Sequence, residues 1–251
     1  MQFYDRDEEL LVTKVGHYLF EGWKDGEALL VVGAAERNRA IGEQLSALGL
    51  DPASVATSDR LLFLDGQQLV NRILAQGPPE WGRFDALIGS AVRELEARHG
   101  RVRAYGEMVG ILWARKQYAE AERIEEFWNR LMRGVALSLF CAYPIDILHT
   151  DLDMTAVNAV LAAHTHVLPC GAEGTLGDAV DRAMDDVLGA RAESLKRVIT
   201  TYFRPSLAAV PTAERMVLWL RSHLPQYAGQ ILSRARHYYS TDRRPVSPAR
   251  T

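Results

Sequence analysis

Apolar residues along the chain fall into short runs and helical stripes that alternate over its first two thirds. Runs bounded by glycine or proline predict strands at Ala28–Val32, Leu61–Leu64, Val102–Tyr105 and Val135–Ala142, with a weaker one at His166–Leu168. Between them the apolar spacing becomes three and four. Leu10, Leu11, Val15, Tyr18 and Leu19 share one helical face, Ile41, Leu45 and Leu48 another, and Leu69, Val70, Ile73 and Leu74 a third. A fourth helix runs through "FDALIGSAVRELEARHG" and stops at Gly100, and a longer one covers Met108 to Met132. Strands alternating with helices predict an α/β fold with a mainly parallel sheet covered by helices on both faces.

Beyond Pro169 the pattern turns wholly helical. One helix is predicted over Leu176 to Phe203, interrupted at Gly189 and ended by Arg204-Pro205, and a second from Thr212, as N-cap, to Pro225. A last helical segment covers Tyr227 to Tyr239. The expected organisation is therefore an α/β domain over 1–170, a helical extension over 171–240 and a disordered basic tail over 241–251. The apolar stripes of the extension need something to pack on, either the α/β domain, a regulatory protein partner or a second copy of the chain.

Composition narrows the class. With 251 residues, 48% hydrophobic and 24% charged, the chain suits one α/β domain plus an extension, or two small domains. A net charge of −3 gives no pull toward nucleic acid or a membrane, and no apolar run approaches a bilayer-spanning length. The acidic start "MQFYDRDEELL" is unlike a signal peptide, so a cytoplasmic protein is expected. Cys141 and Cys170 make no disulfide framework; Cys141 reads as a small core residue and Cys170 as an exposed loop residue. Arg243, Arg244 and Arg250 read as a solvated tail, and nucleic acid is not an expected partner.

The stretch "ALLVVGAAERNRAIGEQL", Ala28 to Leu45, is a buried strand, a glycine and a helix, the order in which a phosphate loop is built. A working loop needs G-x-x-x-x-G-K-[ST], with glycine amides and a lysine on the phosphates and a hydroxyl on Mg²⁺. Aligning Gly33 with the first glycine puts Asn38 at the second, Arg39 at the lysine and Ala40 at the hydroxyl. Ala40 offers no oxygen to a metal, so efficient ATP hydrolysis is not expected. Two readings stay open: an ordinary strand-to-helix turn, and a site that keeps a nucleotide without turning it over. A slow ATPase or kinase-like activity using Arg39 and Glu107 is the enzymatic alternative.

Other candidates follow from position. Arg103, Tyr105 and Glu107 alternate toward the end of a predicted strand, where α/β sheets place their ligands. Trp113 and Tyr143 are candidates for an apolar ligand cavity, whereas Trp128 reads as core. His164 and His166, two apart, share a face if their segment is a strand. With His149, Asp151, Asp153 and Cys170 nearby they match no closed zinc pattern, and no metal is expected.

Three stretches carry a family resemblance: "RVRAYGEMVGILWARKQYAEAERIEEFWNRL", then "LSLFCAYP", then "HTHVLP". They occur in the same order in MEDS domains, sensory domains of regulators of the DcmR type. The opening is similar too, with Tyr4, Asp5, Gly26 and Glu27 at matching places. The resemblance covers Met1 to Pro169 and implies a RecA/KaiC-like fold with a degraded phosphate loop. It implies a ligand-sensing module in signal transduction and transcription regulation. The DNA-binding, kinase or phosphatase output domain that family members often carry is not recognised here, so the helical extension is the candidate transmitter.

Overall fold

The computed structural model of the chain describes residues 1–4, 7–50, 59–149, 151–171, 174–201 and 210–242. These fall into two compact units, Met1–Pro144 and Ile145–Thr251. No helix of the described residues is long and apolar enough to cross a membrane.

The first unit is built on a five-stranded sheet of β1 (Gln2–Phe3), β2 (Ala28–Gly33), β3 (Leu61–Asp65), β4 (Val102–Gly106) and β5 (Leu137–Tyr143). The spatial order is β1-β5-β4-β2-β3, and every pairing is parallel. All six residues of β2 are buried, as a central strand covered on both faces requires. On one face lie α1 (Glu8–Lys24) and α2 (Ala35–Ala47); Leu11, Val15, Leu19, Ile41 and Leu45 pack there against Leu29, Val31, Tyr105 and Phe140. Helices Gly66–Leu74, Ser90–His99, Met108–Ala114 and Tyr118–Met132 complete the unit. The last of these buries Phe127 and Trp128, whose rings meet Phe84 at 5.5 and 5.2 Å.

The strand order has a functional consequence. From β2 the chain moves outward to β3, then returns across β2 to β4 on its other side. The carboxyl ends of β2 and β4 therefore flank a topological switch point, where open parallel sheets form a crevice.

The second unit is helical: Met154–Ala162, Thr175–Leu188, Ala192–Thr201, Thr212–His223 and Pro225–Asp242. Helices Thr175–Leu188 and Pro225–Asp242 pack along each other, burying Ala179, Val180 and Ala183 on one and Ile231, Leu232 and Ala235 on the other. The buried Glu214 accepts the Cys170 N–H at 2.6 Å, and the Arg221 guanidinium donates to the Ile147 carbonyl at 2.8 Å.

The α/β class, the four long strands and the helical C-terminal region agree with the sequence reading. Several details differ. The helix expected over Met108 to Met132 is two helices, because Lys116 takes a left-handed φ of 59° that ends the first. His166–Leu168 is no strand; Leu168 alone makes a bridge. Thr212 is the first helical residue rather than the cap, following Pro211. Pro225 opens the last helix, where its missing N–H costs nothing. Cys170 is buried, not exposed. Asp5, Phe203 to Pro205, and the tail with Arg243, Arg244 and Arg250 lie outside the described residues.

Candidate functional site

At the switch point, β2 ends at Gly33, Ala34 turns, and α2 begins at Ala35. Across from it β4 ends at Gly106, and Glu107 follows with its N–H on the Val32 carbonyl at 2.8 Å. That bond extends the β2–β4 ladder by one residue and aims the Glu107 side chain at α2. Its carboxylate accepts the Ala34 N–H through Oε2 at 3.0 Å and the Arg37 Nε–H through Oε1 at 3.3 Å. The N–H of Ala34, the residue just before α2, is thus held by a carboxylate 73 residues away, whereas α1 is capped locally by Asp7 accepting the Leu10 N–H.

A side chain at Gly33 would have to displace its neighbours. A Cβ there would stand 2.7 Å from Asn38 Oδ1 and 3.2 Å from Glu107 Oε2. Asn38 Nδ2 donates to the Leu64 carbonyl at 2.9 Å, tying α2 to the end of β3. Asn38, Arg39 and Ala40 all stand within α2, with a single residue between strand and helix. Arg39 is exposed and pairs with Glu43 one turn on, at 3.3 Å.

Arg37 and Glu107 have side chains only 8% and 7% exposed. The Arg37 guanidinium also lies over the Tyr4 ring at 5.3 Å and reaches the exposed Glu8 at 3.5 Å. Burial works against its charge, but Tyr105, Glu107, Tyr4 and Glu8 together outweigh that and raise its pKa. Burial, then the Glu107 charge, pushes the Tyr4 phenol up to about 12. The same two causes raise Tyr105 well above the usual tyrosine range. The Tyr105 hydroxyl is fully enclosed and has no hydrogen-bond partner among the described residues.

Tyr4, Ala34, Arg37 and Glu107 form the floor of a cleft of about 650 Å³ between α1 and α2; Tyr105 is buried and does not line it. Its rim carries Glu8, Glu9, Glu36 and Glu43 against Arg39. Because Arg37 and Glu107 neutralise one another, the excess charge of the cleft is negative. Among the described residues its polar lining is carboxylates, two arginines, Gln44 and the Tyr4 phenol, groups that can bind and orient a polar molecule.

A family model describing the methanogen/methylotroph, DcmR sensory domain (MEDS) matches residues 1–165. The chain belongs to the MEDS family. No curated protein and no solved structure matches it.

Within this MEDS protein the sequence-derived candidates separate. Glu107, Arg39 and Ala40 line the cleft, whereas Gly33 and Tyr105 are buried and do not line it. Arg103 does not join them. It sits on the same face of β4, but about 13 Å along the strand from Glu107 at ~3.3 Å per residue. There it donates to Glu27 at 2.6 Å and to Asp25 at 3.3 Å, with its guanidinium over Tyr18. Trp113 and Tyr143 pack edge to face at 5.7 Å, and the Tyr143 hydroxyl donates to the buried Glu125. His164 and His166 belong to the second unit; His164 Nδ1 contacts the Val160 carbonyl at 2.7 Å, and His166 is exposed.

Arg37 and Glu8 escaped the sequence reading. The signal for Arg37 was present: Arg37, Ile41 and Leu45 recur every four residues and are the buried positions of α2. A charged residue on an inward stripe needs a buried partner, which here is Glu107.

Proposed function

We propose that this MEDS protein is a cytoplasmic small-molecule sensor that binds its ligand in the cleft above Tyr4, Arg37 and Glu107. MEDS is a family of sensory domains, which supports a sensing role. The observation that carries the site is the buried Arg37–Glu107 pair opening onto a cleft at the switch point of the sheet. The acidic rim favours a neutral or cationic polar ligand and works against phosphates. The β2–α2 junction is, on this reading, a RecA-like phosphate loop that has lost its catalytic groups. Residues 1–170 sense, and the helices of 171–240 pass the state to a regulatory protein or a second copy. Transmission requires that the ligand bind one arrangement of the protein better than another.

The test is a thermal-shift titration with neutral polar molecules and small amines, beside ATP, ADP and GTP with and without Mg²⁺. A ligand at 100 times its dissociation constant stabilises by about 2.7 kcal/mol, which a melting curve resolves. The expected result is a saturable shift from a member of the first group, lost in Arg37→Met and kept in Arg103→Gln. A nucleotide shift that disappears in Arg39→Ala overturns this reading in favour of a retained phosphate site.

A further inference from the structure

A side chain suited to reading a ligand is held in place while its polar atoms stay unpaired, because a group already immobilised loses least on association. Both arginines of the cleft fail that criterion. Arg37 is paired with Glu107 and Glu8, and Arg39 with Glu43 one turn on. Gln44 meets it. It stands on α2 two turns beyond Arg37, about 10 Å along the helix at ~1.5 Å per residue, and lines the cleft as Arg37 does.

Gln44 is held by α1. Gly16 is buried on that helix, and a Cβ there would lie 2.4 Å from Gln44 Cγ, 3.2 Å from its Cβ and 3.6 Å from its Cδ. The aliphatic stem of Gln44 therefore rests on the bare backbone of Gly16, and the terminal amide is the part left to serve the cleft. Among the described residues that amide has no hydrogen-bond partner.

We propose that Gln44 is the specificity-determining residue of the cleft, and that the ligand is a neutral molecule bearing a carboxamide or urea group; the inference rests on the cleft being the binding site. A primary amide carries a donor and an acceptor side by side, and so does such a ligand. The two close a pair of antiparallel hydrogen bonds, N–H to C=O in each direction. Charge selects in the same sense. The excess of carboxylates over arginines in the lining repels anions. A cation gains little from the rim, because Glu8 and Glu43 are 72% and 67% exposed and ion pairs in water are weak. A neutral amide meets no repulsion and gives up no charge hydration. Tyr4, Val12 and Ala40 offer the rest of the molecule apolar contact.

Benzamide, benzylamine and benzoate are the probes: matched in shape, they are neutral, cationic and anionic at neutral pH. Each is titrated against the full chain at constant ionic strength and followed by ligand-observed NMR. Wild type is expected to bind benzamide at least about tenfold more tightly than either of the others, the scale of a pair of neutral hydrogen bonds. Gln44→Met keeps an unbranched stem on Gly16 without the amide and should lose that preference. Gln44→Glu keeps the shape but exchanges the donor for a negative charge, and should turn the preference toward benzylamine. Gly16→Ala changes no lining residue, yet should weaken benzamide binding by dislodging the Gln44 stem. If Gly16→Ala fails to fold, the two Gln44 variants, at a half-buried position, decide the question. A wild type that binds benzamide no better than the other two, or not at all, overturns the proposal, and so does a folded Gln44→Met that keeps the preference. Benzylamine bound by wild type in preference to benzamide, and lost in Arg37→Met, overturns it while leaving the cleft as the binding site.

Discussion

Arg37 and Glu107 meet at 3.3 Å across the carboxyl ends of two neighbouring strands, each side chain less than a tenth exposed. The pair links α2 to β4 at the point where the sheet reverses its order, so it is structural support and cleft floor at once. That double role makes its two halves unequal to their sum. Truncating one leaves the other buried and uncompensated, which costs about 3–5 kcal/mol, whereas replacing both by neutral groups costs far less. Urea unfolding of Arg37→Met, Glu107→Gln and the double variant should show the double to be no less stable than either single. Additive losses would mean that the two groups are not coupled.

Two buried phenols on adjacent strands predict opposite outcomes of the same substitution. The Tyr105 hydroxyl has no partner among the described residues, and an unpaired buried hydroxyl is a standing cost of about 1–3 kcal/mol. Tyr105→Phe is expected to leave the free protein as stable as wild type or more so. The Tyr143 hydroxyl donates to Glu125, itself buried, so Tyr143→Phe removes a bond from an enclosed carboxylate. A loss of roughly 1–3 kcal/mol is expected there. Chemical denaturation of the two variants side by side checks the contrast, and equal effects would refute it.

Arg103 separates stability from binding. It is 17% exposed, pairs with Glu27 at 2.6 Å and packs against α1 so closely that a Cβ on Gly22 would lie 2.5 Å from its Cδ. Arg103→Gln should lower the melting temperature, because Glu27 is left buried without its strongest partner. The ligand response of the cleft should survive, since the residue lies at the other end of β4. An unchanged melting temperature with a lost response would place Arg103 in the site after all.

These contrasts show what was legible in the sequence. β2 was, because burial on both faces writes an unbroken apolar run, and β3, β4 and β5 were legible as short, largely apolar runs. β1 was not: two residues, Gln2 and Phe3, are too few to form a pattern. Period-two alternation correctly set Arg103 and Tyr105 on one face, but alternation identifies a face and not an end, so Arg103 was grouped with Glu107 although the strand carries them apart. The break at Lys116 left no trace because its turn needs no glycine or proline. Glu107 could be found because it directly follows a strand. Arg37 could not be found from the charge alone, since an arginine in the first turn of a helix ordinarily faces water; only its register with Ile41 and Leu45 marks it as buried.

Buried phenols, with Tyr4 of the cleft first among them, predict a loss of stability at alkaline pH. Tyr4 has an ordinary pKa of 10.0 in the unfolded chain and about 12 in the folded protein, because burial and Glu107 oppose its ionisation. Below pH 10 both states keep the proton and the folded state loses nothing. As pH rises from 10 toward 12, the unfolded chain releases the proton while the folded protein holds it, so unfolding becomes progressively favoured. At about 1.4 kcal/mol per unit, Tyr4 alone removes roughly 2–3 kcal/mol over that window. Tyr105 and Tyr18, whose phenols are also raised by burial, steepen the fall. Tyr4→Phe has no proton to release, so its urea midpoint should decline less than that of wild type between about pH 9 and about pH 12. The tyrosinate absorbance of the folded wild type should rise correspondingly late. Parallel declines of the two proteins would mean that the Tyr4 hydroxyl is solvated and that the cleft floor is open to water.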